Sequence, residues 1–320
     1  MDATDTITDQ PADQPADVLR PRIRAIMAGE ERTQADLARE ADIPNGTFNL
    51  WFNGKYAGNN ALVAAKVEKW LDAREQHRAM ASVMPAVPQF VRTPTSSRIL
   101  PDLVFAQVMP AFVAIVGAAG VGKTRTAQYH QATNPHVWIV TAEPSVRRTN
   151  DILVAFCHVL GIQEKRAARL SAAIGARIKG TGGLLILDEA QEAEVAALQQ
   201  LRVLQDLYEI GVALIGNETI LANLGYGDRS RENLTSRVGK KPIIRGASAG
   251  DADALLDAWG IAGAEERRFL NGVAVKTGAL RTMSWCLKQA HILAAGCGEP
   301  VALKHLRAAA KDLCTIPSGI

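Results

Sequence analysis

Cysteine is scarce and unpatterned. The four in the chain, Cys157, Cys286, Cys297 and Cys314, show no C-x-x-C spacing, which argues against a zinc site and against a disulfide framework. They read as buried, reduced thiols of a cytoplasmic protein. No uninterrupted apolar stretch reaches membrane-spanning length, so no membrane partner is expected. Met1 to Asp17 is acidic and Pro-containing and lacks the basic-then-apolar order of a signal peptide. Residues 1–18 are expected to be a disordered leader. Net charge is only +3, so a nucleic-acid partner would have to be met by local clusters of charge. Against these absences stand 48% hydrophobic residues, ample for a sizeable core, and 320 residues, room for about two or three domains.

The chain is organised around Gly117-Ala118-Ala119-Gly120-Val121-Gly122-Lys123-Thr124, the G-x-x-x-x-G-K-[ST] pattern of a phosphate-binding loop. Its glycines let the backbone turn back with N–H groups pointing inward, and those dipoles cradle a polyphosphate. Lys123 would reach the β- and γ-phosphates of ATP, and the Thr124 hydroxyl would hold Mg2+. Phe112 to Val116 reads as a buried strand before the loop, and a helix starts with Arg125 after it. A Gly-rich turn that binds nothing is the plain alternative.

A second chemical motif follows Leu184-Leu185-Ile186-Leu187, a strand-length apolar run ending in Asp188-Glu189. Asp188 would bind the Mg2+ shell, and Glu189 would take a proton from an attacking water, which is otherwise a poor nucleophile. Val212 to Gly216 is another buried strand, and Asn217 at its end suits a γ-phosphate sensor. Val137 to Thr141 and Lys241 to Ile244 complete the predicted strands. Strands alternating with helices imply a parallel sheet with nucleotide at the carboxyl ends. Four helices punctuated by Gly260, Gly278 and Gly296 would form a lid, from which Arg281 could lean over the γ-phosphate.

The N-terminal third reads as compact helices: Arg22 to Met27, Gln34 to Glu40 capped by Thr33, Asn45 to Phe52 capped by Asn45, and Asn60 to Leu71. Helix, tight turn, helix resembles a helix-turn-helix DNA-binding unit. Asn45, Thr47 and Asn49 are its polar candidates for the groove, and Lys55 and Tyr56 for phosphate. That helix carries no Arg or Lys, and a bundle for protein contacts is the alternative. Four X-Pro steps between Met84 and Pro101 deny continuous helix there, so residues 79–101 are expected to be a linker, with Arg92 and Arg98 on it. Between Glu164 and Gly180, a turn of ~100° per residue puts Lys165, Arg166, Arg169, Arg177 and Lys179 on one arc and Leu170, Ile174 and Ile178 beside them. Such cations could neutralise DNA phosphates, or simply form a solvated face. Arg147, Arg148, Lys240 and Lys241 are weaker candidates. The expected boundaries are 19–78 for the helix-turn-helix domain, 102–246 for the nucleotide-binding domain and 247–320 for the lid.

The phosphate loop, Asp188-Glu189, Asn217 and Gly278-Ala279-Leu280-Arg281 together resemble the AAA+ ATPases. Asn53 to Tyr56, Phe90 to Thr95, Asn134 to Trp138 and Leu201 to Gln205 extend the likeness from about Leu19 to Leu313 and narrow it to phage transposition ATPases that activate target DNA. The resemblance implies an α/β fold, with parallel sheet and helical lid, preceded by an all-α domain. It also implies an ATP-dependent, non-sequence-specific binder of double-stranded DNA that forms filaments with itself and delivers target DNA to a transposase. In that family hydrolysis occurs between subunits, which makes Arg237 the first and Arg231 the second candidate for an arginine supplied in trans. Gln191 departs from the pattern, where an acidic residue is expected. A helicase-loader or insertion-sequence helper ATPase shares the core motifs, and a DNA-binding regulator holding ATP as a structural ligand is the rival from another class.

Overall fold

The computed structural model describes residues 14–83, 89–225, 236–276 and 278–313. The chain divides into two compact units, Met1–Met84 and Pro85–Ile320.

The first unit contains α1 (Gln14–Glu30), α2 (Gln34–Glu40), α3 (Asn45–Phe52) and α4 (Asn60–Val83). Leu19, Ile23, Leu37, Phe48, Trp51, Val67 and Leu71 bury together in its core. Thr33 caps α2 through a reciprocal pair with Asp36: the Thr33 hydroxyl accepts from the Asp36 N–H, and the Asp36 carboxylate accepts from the Thr33 N–H. The Arg20 guanidinium donates twice to the Trp51 carbonyl, at 3.1 and 2.9 Å, beside the Gly54 N–H that donates to the same oxygen at 3.0 Å at the end of α3. Three expectations fail here. Residues 14–18 belong to α1 rather than to a leader, because Ala16 and Leu19 are both buried against the bundle. The helix expected to end at Leu71 runs on to Val83. Asn45 is the first residue of α3 rather than its cap; Pro44 holds the cap position, and no side chain caps that helix.

The second unit is built on a parallel sheet. Its strands are β1 (Phe112–Gly117), β2 (Val137–Thr141), β3 (Leu184–Asp188), β4 (Gly211–Gly216), β5 (Val238–Lys240) and β6 (Ile243–Ile244), in the order β2-β3-β4-β1-β5 with β6 also on β1. All registered pairs are parallel. Of the strand expected at Lys241–Ile244 only Ile243–Ile244 forms, as β6; β5 is a separate piece ending at Lys240, and the two pair successive stretches of β1. Period-two alternation sorts the strands' side chains. Val113, Ile115, Leu184, Ile186, Ala213 and Ile215 join one core with α5 (Pro94–Val108) and α6 (Lys123–Thr133). Phe112, Ala114, Val116, Leu185, Leu187, Val212 and Leu214 join the other, with α7 (Thr149–Val159), α8 (Ala167–Ile178) and α9 (Val195–Tyr208).

Helix α5 corrects the linker reading beyond residue 93. Thr93 caps it in a reciprocal pair with Ser96, and Pro94 occupies its first turn, where a missing N–H costs nothing. Pro101 lies inside the helix, an arrangement that costs about 3 kcal/mol alone. Burial of Ile99, Leu103 and Ala106 against the sheet offsets it. The short α10 (Thr219–Asn223) follows β4. The lid helices are α11 (Ala249–Ala258), α12 (Ala264–Ala274), α13 (Ala279–Gly296) and α14 (Leu303–Asp312), four as expected.

Asp251 joins the lid to the start of α5. It is fully buried and accepts four hydrogen bonds at 2.7 Å, from the backbone N–H and hydroxyl of Thr95 and of Ser248. Burial alone would raise its pKa, but these donors outweigh it and hold the carboxyl below its ordinary value.

Candidate functional site

Strand β1 delivers the chain into the loop at the carboxyl end of the sheet, and α6 begins at Lys123. Gly122 (φ +96°) stands before α6 with no side-chain cap, so the first N–H groups of the helix are left for an anion. Two glycines are demanded by packing. A Cβ on Gly117 would lie 2.7 Å from the Ile244 carbonyl oxygen, and one on Gly120 (φ +80°) would lie 1.9 Å from that of Gly278. The loop is thus pinched between the end of β6 and the start of α13.

Lys123 Nζ donates to the carbonyls of Gly117 (2.7 Å) and Ala118 (2.8 Å), curling back over its own loop. Burial lowers its pKa; Glu189 and Asp188 oppose that shift, and Arg281 adds to it. Arg281 therefore acts electrostatically on the phosphate-loop lysine from the first turn of α13. Thr124 donates its hydroxyl to Asp188 Oδ2 at 2.7 Å, and the Glu189 N–H donates to Asp188 Oδ1 at 3.0 Å. Asp188 is 3% exposed, and burial raises its pKa despite those bonds. Glu189 has left-handed backbone (φ +50°, ψ +37°), a strain of about 1–3 kcal/mol of the kind that surrounding structure must hold in place. Gln191 Nε2 donates to Glu189 Oε2 at 2.6 Å. The Asn217 side-chain oxygen accepts from the Thr219 N–H at 2.9 Å, which leaves its NH2 group as the donor. Lys123, Thr124, Asp188 and Glu189 thus sit together, with Arg281 within electrostatic reach of Lys123 and Gln191 joining Glu189 to the end of β4.

Beside the loop is a cavity of about 470 Å³ lined by Ala118, Ala119, Arg245, Ala247, Val275 and Ala279 among others. Beyond the loop and Gly278-Ala279, its lining carries no motif in the sequence. Only the fold brings the segment after β6 against the α12–α13 corner.

The expected DNA residues are spread more widely. Helix α8 starts at Ala167, so only Arg169 and Arg177 lie on it; Lys165 and Arg166 precede it and Lys179 follows it. All five are exposed. Glu164 supplies an acidic partner at the start of this segment: Arg166 pairs with it at 3.1 Å, and that hydrogen bond holds the Glu164 carboxyl down at about 2. Arg147 and Arg148 both approach Glu194, at 3.5 and 3.9 Å, and Lys240 pairs with Asp102 at 3.0 Å. In the first unit Asn45, Asn49 and Lys55 are exposed and Thr47 is half-buried, while Asn49 accepts a hydrogen bond from Asn53. Arg237 pairs with Asp206 at 3.6 Å. It precedes β5, whose Val238 lies opposite Phe112 at the start of β1, so it stands about 17 Å of strand away from its own phosphate loop. Arg231 lies outside the described residues.

Two family models match: "Mu B transposition protein, C terminal" over residues 236–313 and "AAA domain" over 109–224. The chain is 35% identical to the "ATP-dependent target DNA activator B" of Escherichia phage Mu over 299 residues, 92% of this chain and 95% of that one. The chain belongs to the Mu B family. A Mu B relative from Haemophilus influenzae, "Mu-like prophage FluMu DNA transposition protein B", is 34% identical over 82% of this chain and 93% of its own. Among solved structures the ADP form of the Aeropyrum pernix ORC2 protein matches with a TM-score of 0.53 at 17% identity, over 73% of this chain and 72% of that chain. That likeness shows the AAA+ fold for this Mu B family member. No described helix is long and apolar enough to cross a membrane.

Proposed function

We propose that this protein is an ATPase that binds duplex DNA without sequence specificity, assembles on it as a filament when ATP is bound, and presents that DNA to a transposase. The observation that carries the nucleotide chemistry is the Thr124–Asp188–Glu189 assembly beside Lys123. A hydroxyl and a carboxylate 2.7 Å apart are the hard oxygen donors that Mg2+ takes alongside phosphate. Asp188 is buried with its pKa raised, so its charge lacks a full complement of partners, and a cation there would supply one. Bound Mg2+ would neutralise charge on the phosphates. Lys123 and the loop N–H groups would hold the β- and γ-phosphates, and Asn217 and Arg281 would contact the γ-phosphate. The cavity beside Ala118 and Ala119 would take the nucleoside. Glu189 would accept a proton from the attacking water as the bond from the γ-phosphorus to its bridging oxygen breaks, giving ADP and phosphate.

Arg237 stands at the opposite end of the sheet from its own loop, a placement that suits delivery to a neighbour's nucleotide. An arginine supplied in trans couples assembly to hydrolysis by stabilising transition-state charge. Arg169, Arg177 and their exposed neighbours would meet phosphates, with the α3 surface as a second contact. The relatives' names, a target DNA activator and a DNA transposition protein, favour this reading over a helicase loader or an ATP-holding regulator. Electron microscopy of the protein on long duplex DNA with a slowly hydrolysed ATP analogue tests it. Continuous filaments that vanish without nucleotide are expected. Isolated monomers at saturating nucleotide and Mg2+ would overturn it.

A further inference from the structure

We propose that Gln191 is a positioning residue for hydrolysis, orienting the Glu189 carboxylate and tying it to the end of β4. The inference rests on Glu189 acting as the base. Gln191 lies in the single 3₁₀ turn Ala190–Glu192 that follows Glu189, and its amide spans two strands. Its Oε1 accepts from the Asn217 N–H at 3.2 Å; its Nε2 donates to Glu189 Oε2 at 2.6 Å. The polarity of this bridge is dictated by its ends. A backbone N–H can only donate and a carboxylate can only accept, so the oxygen must face Asn217 and the NH2 must face Glu189. Glutamine meets both demands at this length. A carboxylate here would satisfy Asn217 but set oxygen against oxygen at Glu189.

Two further features hold the bridge in place. Gly216 makes room for it: a Cβ at that position would lie 2.1 Å from Gln191 Oε1. The Gln191 backbone carbonyl accepts from the Asn223 side chain on α10 at 3.1 Å. Glu189 has left-handed backbone at the start of this turn, and the Gln191 amide holds its carboxylate two residues on. Through the same amide, any shift of the β4 end where Asn217 meets the γ-phosphate is passed to the base.

Steady-state ATP hydrolysis and equilibrium binding of a fluorescent ATP analogue, measured on the full-length protein with DNA, test this. Gln191→Ala is expected to lower kcat about tenfold or more, the scale set by misplacing a reacting group, with analogue affinity within about twofold of wild type. Gly216→Ala, whose methyl would run into the Gln191 amide oxygen and the end of the Ile220 side chain, is expected to lower kcat in the same way. In Glu189→Gln the effect of Gln191→Ala should disappear, because nothing remains to be oriented. Wild-type kcat in Gln191→Ala, with Glu189→Gln inactive, overturns the inference and spares the base. Normal turnover in Glu189→Gln overturns the base itself. A matched loss of analogue affinity and kcat in Gln191→Ala would show a structural role and also overturns the inference.

Discussion

Asp188 and Asp251 are both buried carboxylates at the edges of one ATPase unit, and their surroundings treat them oppositely. Asp251, at the junction of the lid with α5, receives four donated hydrogen bonds, two of them from backbone N–H groups. Asp188, at the end of β3, receives two. The first carboxyl is held below its ordinary pKa and the second is raised above it. A buried charge with its acceptor capacity filled is a fastener. One left short of partners is costly in isolation, and under the proposed function a bound cation would complete its environment. Burial alone therefore does not separate structure from function; the count of donors does.

Removing the charge that meets the ligand directly should have the largest effect. Lys123→Ala is expected to weaken ATP binding by about 100-fold or more, on the scale of losing a buried ionic partner, and to abolish nucleotide-dependent DNA binding with it. Equilibrium dialysis against labelled ATP and a DNA-binding assay with and without nucleotide check both halves. DNA binding that still depends on ATP in this variant would detach the loop from the function.

The contrast between the two carboxylates sharpens into a difference of sign. In Asp251→Asn one end of the side chain becomes NH2 and must face a backbone N–H, from Thr95 or from Ser248, that cannot turn round. A loss of about 2–4 kcal/mol is expected in nucleotide-free protein. In Asp188→Asn the Thr124 hydroxyl can rotate and accept from the new NH2, and the cost of a poorly satisfied buried charge is gone. Stability there should rise by about 1 kcal/mol while Mg2+-dependent hydrolysis is lost. The pH dependence follows for Asp251. Its pKa is lower folded than unfolded, so its contribution is complete above the unfolded value near 4 and lost as pH falls through the folded one. Thermal melts of both variants across acid pH decide it, and destabilisation of similar size in both would remove the distinction.

Much of this unit is legible in the sequence for a simple reason. The interiors of β1, β3 and β4 are buried on both faces and read as short continuous apolar runs. Phosphate chemistry done by backbone leaves a glycine spacing behind. Helix α5 was hidden because prolines at 94 and 101 argue against helix locally, and only the packing of Ile99, Leu103 and Ala106 overrides them. The nucleoside-sized cavity was hidden because Arg245 to Ala247 and Ala274 to Lys276 carry no motif until the fold brings these distant segments together beside the loop. Gln191 was visible only as a departure from pattern. Its partners, Asn217 and the space beside Gly216, lie across a strand boundary that spacing along the chain does not encode. Helix α8 was over-read: an arc drawn from Lys165 assumes helix two residues before it starts.

The smallest expected effects lie in charge that is neither buried nor filled. Arg177 is exposed on α8 and pairs with no side chain among the described residues. Arg166 is exposed too but already engaged by Glu164, which its hydrogen bond keeps ionised down to about pH 2. A cation that neutralises a DNA phosphate releases about one counterion, contributing about 0.9 to the slope of log affinity against log salt. Arg177→Ala should therefore weaken DNA binding by a few-fold at moderate salt and flatten that slope by about one unit. Arg166→Ala should change the slope less, because its charge is partly cancelled by its neighbour before DNA arrives. Titrations of labelled duplex at several salt concentrations in the presence of an ATP analogue separate the two. Equal losses of slope would mean that DNA displaces Glu164, and no loss in either would move the phosphate-binding surface off α8.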